Sequence, residues 1–200
     1  MDHTADVELI EKRESFRGWF RLNTYRLRHR LFAGGWGKPI QREVLERGHA
    51  VAALPYDPAL DKVVLIEQFR VGAYLGGDPA WLVEAVAGIV EPDETPEDVA
   101  RREAIEEADC RLTDLAFVGK HYVSPGGTSE HCHVFIGRCD SAGLGGVHGL
   151  ADEGEDIRVF VVPFAEAKRM REDGQILAGP AVIALLWLEL HRDELRRRWR

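Results

Sequence analysis

No stretch of this 200-residue chain approaches eighteen consecutive apolar residues, so no membrane-spanning helix is expected. Cysteine is scarce as well. Cys110, Cys132 and Cys139 are odd in number and form no CxxC pair, which fits reduced, packed or semi-exposed thiols better than a disulfide framework or a zinc site. The opening residues, MDHTADVELIEKRESFRGWF, lack an apolar signal-type core, and the reading is a cytoplasmic protein. A surplus of positive charge is also missing: the net charge of −8 argues against broad nucleic-acid binding. There is no internal repeat and no low-complexity tract. What the chain does have is 45% hydrophobic residues, enough for one sizeable core, so one main domain with a small appendage is expected.

Charge is distributed unevenly. Residues 11–47 hold ten Lys/Arg against four Glu, whereas residues 84–109 hold ten Asp/Glu against Arg101 and Arg102. Either run alone reads as a solvated face. Together in one small protein they suggest an anionic substrate meeting metal ions. The basic segment GWFRLNTYRLRHRLFAGGWGKPIQREVLERG predicts antiparallel strands that turn at Gly34-Gly35 and are too few to fold alone. From His49 onward, HAVAALPYD, KVVLIEQFRV, WLVEAVAGIV, FVGKHYV, HVFIGRC and IRVFVV supply strands, and 96–108, 164–173 and 180–198 have helical composition. The class is α/β with a mixed sheet. The apolar stripe of the last helix reads as a core face and its basic tail as a solvated end.

The stretch ARREAIEEADC, residues 100–110, places Glu103, Glu106 and Glu107 on one helical face. Two carboxylates about 5–6 Å apart at an effective dielectric of about 20 repel by roughly 3 kcal/mol. Such a cluster calls for a cation. Thr95 is a good N-cap, Pro96 suits the first helical position and Asp98 favours the helix N-terminus, while Asp109 tolerates the left-handed conformation that stops a helix. Glu94 adds a carboxylate just ahead of the helix. Hard divalent cations such as Mg²⁺ take oxygen ligands of this kind. The competing reading is an exposed helix laced by pairs such as Arg102 with Glu106.

Read as G-x5-E-x7-R-E-x-x-E-E, the residues Gly88, Glu94, Arg102, Glu103, Glu106 and Glu107 resemble the Nudix box, the signature of hydrolases of nucleoside diphosphates linked to another moiety. The usual Gly near the end of the box is Asp109 here, and every acidic position is intact. The segments RLRHRLF, REVLERGHA, VVLIEQFR, WLVEAVAG, SPGGTSE and HGLADEGEDIRV extend the resemblance over roughly residues 15–195, to the bacterial ADP-ribose pyrophosphatases of that superfamily. Pro125, fifteen residues beyond Cys110, matches a proline characteristic of that group.

The resemblance implies a Nudix α/β/α sandwich with a mixed sheet over residues 48–200 and a small N-terminal antiparallel β subdomain over residues 1–47, exchanged across a homodimer. It implies Mg²⁺, two or three ions per site, with Mn²⁺ as a substitute. The ligands would be the Ala87 carbonyl, Glu103 and Glu107, with Glu106 in support and Glu155 joining when substrate binds. Arg42, Arg47 and Arg70 match positions that hold the substrate, and guanidinium forks suit diphosphate oxygens. Trp19 and Phe20 match an aromatic pair on the adenine; Glu43, Ile89, Ser124, Pro125, Gly126 and Glu130 match further substrate contacts. The implied reaction is hydrolysis of ADP-ribose to AMP and ribose 5-phosphate by a metal-activated water. Spacing alone does not choose a general base among Asp152, Glu153, Glu155 and Asp156, but the resemblance puts Glu153 at the base position.

Two rivals stand beside this reading. The same fold could take GDP-mannose or another nucleoside diphosphate sugar, or it could sense a nucleotide sugar without cleaving it. Intact Glu103, Glu106 and Glu107 argue against a pure sensor. His131 and His133 would share one strand face, yet two ligands are too few for a transition-metal site, and both read as packing or surface residues.

Overall fold

The alternation of apolar and charged side chains in RLNTYRLRH calls for a strand with one covered face. The computed structural model describes residues 4–150 and 154–199 and forms such a strand between two others: β1 (Val7–Arg17), β2 (Arg21–His29) and β3 (Ile40–Glu46) make an antiparallel sheet in the order β1-β2-β3. β1 lies ahead of the segment in which strands are expected. Its sequence is too charged to be read as one. All eleven of its residues are exposed, including Val7, Leu9, Ile10 and Phe16.

The chain divides into two compact units, Met1–His49 with Tyr122–His131, and Ala50–His121 with Cys132–Arg200. The first therefore contains the three-stranded sheet and a segment from far along the sequence. That segment is tied in by backbone and side chain: Leu45 N–H donates to Gly127 O at 2.8 Å, and Thr128 Oγ1 donates to Leu45 O at 2.9 Å.

The second unit is built on β4 (Ala50–Asp57), β5 (Lys62–Phe69), a short helix α1 (Val71–Gly76), β6 (Trp81–Glu84), β7 (Val86–Ile89), α2 (Pro96–Ala108), β8 (Leu115–Tyr122), β9 (His131–Arg138), β10 (Gly146–His148), β11 (Ile157–Pro163), α3 (Phe164–Glu172) and α4 (Gly179–Arg198). The main sheet runs β10-β11-β5-β4-β9-β8, with β6 added to β5 and β7 to β4. It is mixed, because β4 and β9 are parallel while β4 and β5 are antiparallel. The run WLVEAVAGIV becomes two strands that break at Ala85 and pair with different neighbours.

The central strands β4 and β5 are apolar at nearly every position because both faces are covered. Ala52, Leu54 and Tyr56 of β4, with Val63 and Leu65 of β5, pack on Phe164 and Ala167 of α3 and on Ala181, Ala184, Leu185 and Leu188 of α4. The alternate residues Val51, Ala53, Val64 and Ile66 pack on Val99, Ala100, Ala104 and Ala108 of α2. The result is an α/β/α sandwich. The second layer matters for function, because α2 carries the acidic box and its packing against β4 and β7 fixes where the carboxylates emerge.

Candidate active site

Local chemistry starts and stops α2. Thr95 caps it, with its Oγ1 accepting from Asp98 N–H at 3.2 Å and the Asp98 carboxylate returning to Thr95, and Pro96 sits in the first turn. Asp109 ends it in the left-handed region at φ 47°, the conformation that glycine supplies elsewhere; its N–H donates to Ile105 O at 2.9 Å and the following Cys110 N–H to Ala104 O at 2.8 Å.

Between these ends the box forms one ionic cluster. Arg102 grips both Glu94 oxygens, Nε to Oε1 at 2.9 Å and Nη2 to Oε2 at 3.1 Å, and its Nη1 donates to Glu103 at 2.8 Å and Glu106 at 3.0 Å. The Glu94 bond, aided by Glu103 and Glu106, raises the guanidinium pKa still further. Glu103 presses against the backbone of Gly88; a Cβ there would overlap its carboxylate, which explains glycine at the first box position. Glu107, only 3% exposed, accepts from Ala87 N–H at 2.9 Å and from Gln68 Nε2 at 3.4 Å. Gln68 also donates to Glu84 at 3.3 Å, and Arg70 holds Glu84 through Nε at 3.1 Å and Nη2 at 2.8 Å.

Burial penalises charge here. It pushes Glu107 up to about 8, with Glu103 and Glu155 adding repulsion against the Ala87 bond and Arg70. Burial likewise lifts Glu103 to about 7; Arg102 opposes this, and Glu106 and Glu155 add to it. Glu155 is thus electrostatically joined to both. Leu150 N–H donates to Glu155 Oε2 at 3.0 Å, and Gly149, at φ 103°, leaves no room for a side chain beside Glu155.

Among the described residues, no three His, Cys, Asp or Glu side chains converge as a ready metal cage. Their oxygens are engaged by Arg102, Gln68 and the Ala87 amide instead. The donor set still fits a hard divalent cation. Two desolvated carboxylates with raised pKa values and a third nearby are all oxygen donors, and a cation would relieve the repulsion they share.

A NUDIX domain model matches residues 46–180. The chain belongs to the Nudix family. It is 49% identical over 194 residues to an ADP-ribose pyrophosphatase of Escherichia coli K12, covering 97% of this chain and 93% of that protein. A protein of the same name from Haemophilus influenzae is 42% identical over 98% of this chain and 91% of its own length. A GDP-mannose pyrophosphatase of Cronobacter sakazakii is 38% identical over 94% and 97%. A solved ADP compounds hydrolase superposes with a TM-score of 0.70 over 96% of this chain and 97% of its own, at 21% identity, a likeness of fold.

The Nudix box residues therefore meet in the second unit, together with Ala87, Arg70 and Glu155. Ile89 lies in β7 opposite Ala50 of β4. Glu153 lies outside the described residues.

In the first unit, Arg47 stacks over Phe20 at 5.1 Å and pairs with buried Glu130 at 3.3 Å, so Arg47 adjoins two other expected substrate residues. Trp19 is 91% exposed beside Phe20. Arg42 and Glu43 are exposed on β3. Ser124, Pro125 and Gly126 form an exposed turn in which Ser124 O accepts from Gly127 and Thr128 N–H, both at 3.0 Å. His131 packs against His49 and Tyr122, and His133 against Phe117, as packing residues do.

Sequence reasoning missed Gln68, Glu84 and Glu46. A polar residue inside the apolar run VVLIEQF was the available signal for Gln68. Glu46 accepts from Ser129 Oγ at 2.6 Å and Tyr25 OH at 2.7 Å, a linkage with no local sequence mark.

Proposed function

We propose that this Nudix chain is a Mg²⁺-dependent hydrolase that splits the pyrophosphate bond of ADP-ribose into AMP and ribose 5-phosphate. The observation that carries the reading is the pair of desolvated carboxylates raised in pKa, Glu103 bonded to Arg102 and Glu107 bonded in one row with Gln68, Glu84 and Arg70. The ADP-ribose pyrophosphatase relatives at 49% and 42% identity support the substrate. Glu103, Glu107, the Ala87 carbonyl and Glu155 would hold the cation, with Glu106 in support, and two or three ions per site are proposed, with Mn²⁺ able to replace Mg²⁺. Bound Mg²⁺ would neutralise diphosphate oxygens and lower the pKa of an attacking water.

The chain's own residues do the rest. Arg70, held by two bonds to Glu84, offers its remaining N–H groups to the diphosphate. Water attacks one phosphorus in line, the bond from that phosphorus to the bridging oxygen breaks, and a base accepts the water proton. Glu153 is our candidate for that base.

Trp19 and Phe20 would flank the adenine, with Arg42, Glu43, Arg47, Ile89, Ser124, Pro125, Gly126 and Glu130 as further contacts. The working unit proposed is a homodimer that exchanges its N-terminal segment, residues 1–47, leaving residues 48–200 as the hydrolase domain. β1, exposed along its whole length with four large apolar side chains, supports this. An active monomer in sedimentation at assay concentration would refute it. Three cysteines with no CxxC pair accord with a reducing, cytoplasmic setting, and the net charge of −8 with no nucleic-acid partner.

Relatives named GDP-mannose pyrophosphatase, 35% and 38% identical, keep a second substrate in view. Product analysis with both substrates and Mg²⁺ separates them. AMP and ribose 5-phosphate released well ahead of any GDP-mannose cleavage is the expected result; preferential GDP-mannose cleavage would overturn the substrate assignment.

A further inference from the structure

Gln68 is a buried amide on a strand face otherwise made of Val64 and Ile66. A side chain of similar shape without polar atoms would fill the space at no desolvation cost, so the amide must recover that cost through its bonds. Its Nε2 has two hydrogens and meets two carboxylates, Glu84 Oε2 at 3.3 Å and Glu107 Oε1 at 3.4 Å. The flipped amide would set an oxygen against both carboxylates. With both carboxylates charged, as when a cation is bound, only the donating orientation avoids that repulsion.

Each carboxylate is also held from a second side. Glu107 Oε2 takes the Ala87 N–H, and Glu84 takes the Arg70 guanidinium. The hydrogen bonds thus run Arg70, Glu84, Gln68, Glu107, Ala87 without a break. One end of this row is the proposed diphosphate clamp, and the other is the proposed cation site.

We propose that Gln68 is a positioning residue that fixes the Glu107 carboxylate for the divalent cation and ties it to the Arg70–Glu84 pair, so that cation and diphosphate are recognised by one frame. The inference rests on reading Glu107 as a metal ligand. Outer partners of metal-binding carboxylates typically contribute about 10–100-fold in metal affinity or activity.

The test is Mn²⁺ titration of the metal-free protein, followed by the electron paramagnetic resonance signal of free Mn²⁺, which needs no turnover. Gln68→Met keeps the side-chain length and removes both donors. It is expected to raise the Mn²⁺ dissociation constant about tenfold, to raise the Mg²⁺ needed for half-maximal rate in parallel, and to recover most of kcat at saturating Mg²⁺. Gln68→Asn, whose amide is one methylene too short to reach both carboxylates, should weaken Mn²⁺ in the same sense and serves if the Met variant does not fold. Unchanged Mn²⁺ affinity, or a kcat loss that saturating Mg²⁺ does not relieve, would make Gln68 a packing residue and overturn the inference. Wild-type protein that binds neither Mn²⁺ nor Mg²⁺ would instead sink the metal-site reading of Glu107 and this inference with it.

Discussion

In the first unit, Glu46 accepts hydrogen bonds from Ser129 and Tyr25, and these, Ser129 first, hold its pKa below the usual carboxylate value. In the second unit, burial drives Glu107 up to about 8 although the Ala87 amide and Arg70 oppose it. One carboxylate is at rest as an anion; the other is charged only against resistance. If Glu107 holds the proposed cation, the contrast separates a group that holds a fold together from a group kept ready for a ligand, and the two are distinguished by environment, since both are glutamates in regular elements. The cores differ in the same direction. The second unit covers both faces of its sheet, while the first leaves β1 bare.

The comparison breaks most sharply at the chemistry. Glu153→Gln is expected to lower kcat by roughly 10²–10⁴-fold, with KM and Mg²⁺ dependence little changed and the acidic limb of the kcat–pH profile lost. An unchanged rate and profile would return Glu153 to the surface.

Next in size, Glu107→Gln or Glu103→Gln should cut activity by more than about a hundredfold at limiting Mg²⁺, beyond what an outer partner of a ligand contributes. Both variants should remain folded, and without metal each should melt at or above the wild-type temperature, because a repelled charge has been removed. Near wild-type turnover of Glu103→Gln would reject the metal assignment. Glu106→Gln, whose carboxylate meets Arg102 at 3.0 Å, should lose less.

A smaller effect tests the pKa contrast itself. Glu103 and Glu107 have folded pKa values raised from 4.5 to about 7 and about 8, so their contribution to stability is fully present below about 4.5 and is lost as pH rises to about 8. Glu46 has the opposite sign: its folded pKa is lowered, so its contribution is present above about 4.5 and fades as pH falls through the lowered value. Urea midpoints of metal-free protein across pH should therefore show an alkaline-side decline that Glu107→Gln reduces and Mg²⁺ suppresses, and an acid-side decline that Glu46→Gln reduces. Identical profiles for both variants would erase the distinction. Smallest of all, Ser129→Ala should destabilise the fold by about 1 kcal/mol by removing one hydrogen bond to a partly exposed carboxylate, read as a shift in urea midpoint at neutral pH.

What the sequence disclosed follows how far each feature reaches along the chain. α2 was legible to the residue, since Thr95, Pro96, Asp98 and Asp109 act on their own backbone within a turn. The box carboxylates were legible because helical spacing alone puts them on one face. The Gln68–Glu107 contact joins residues 39 apart, and Ser129 reaches Glu46 across 83; no local pattern encodes either. The same distance hid the membership of Tyr122–His131 in the first unit. β1 was missed because its charged sequence gives no buried face to read, and α1 is too short, at six residues, to announce itself by periodicity.

Arg102 has a kinetic consequence. Its Nη1 is shared between Glu103 and Glu106 while its other nitrogens stay fastened to Glu94, so the cluster already has a tenant. An ion taken up at the proposed site would not fill a vacancy; it would evict a guanidinium from Glu103, while the grip on Glu94 would keep the displaced group close. Loading would then be slowed by that exchange, and release hastened by a competitor that never leaves the protein.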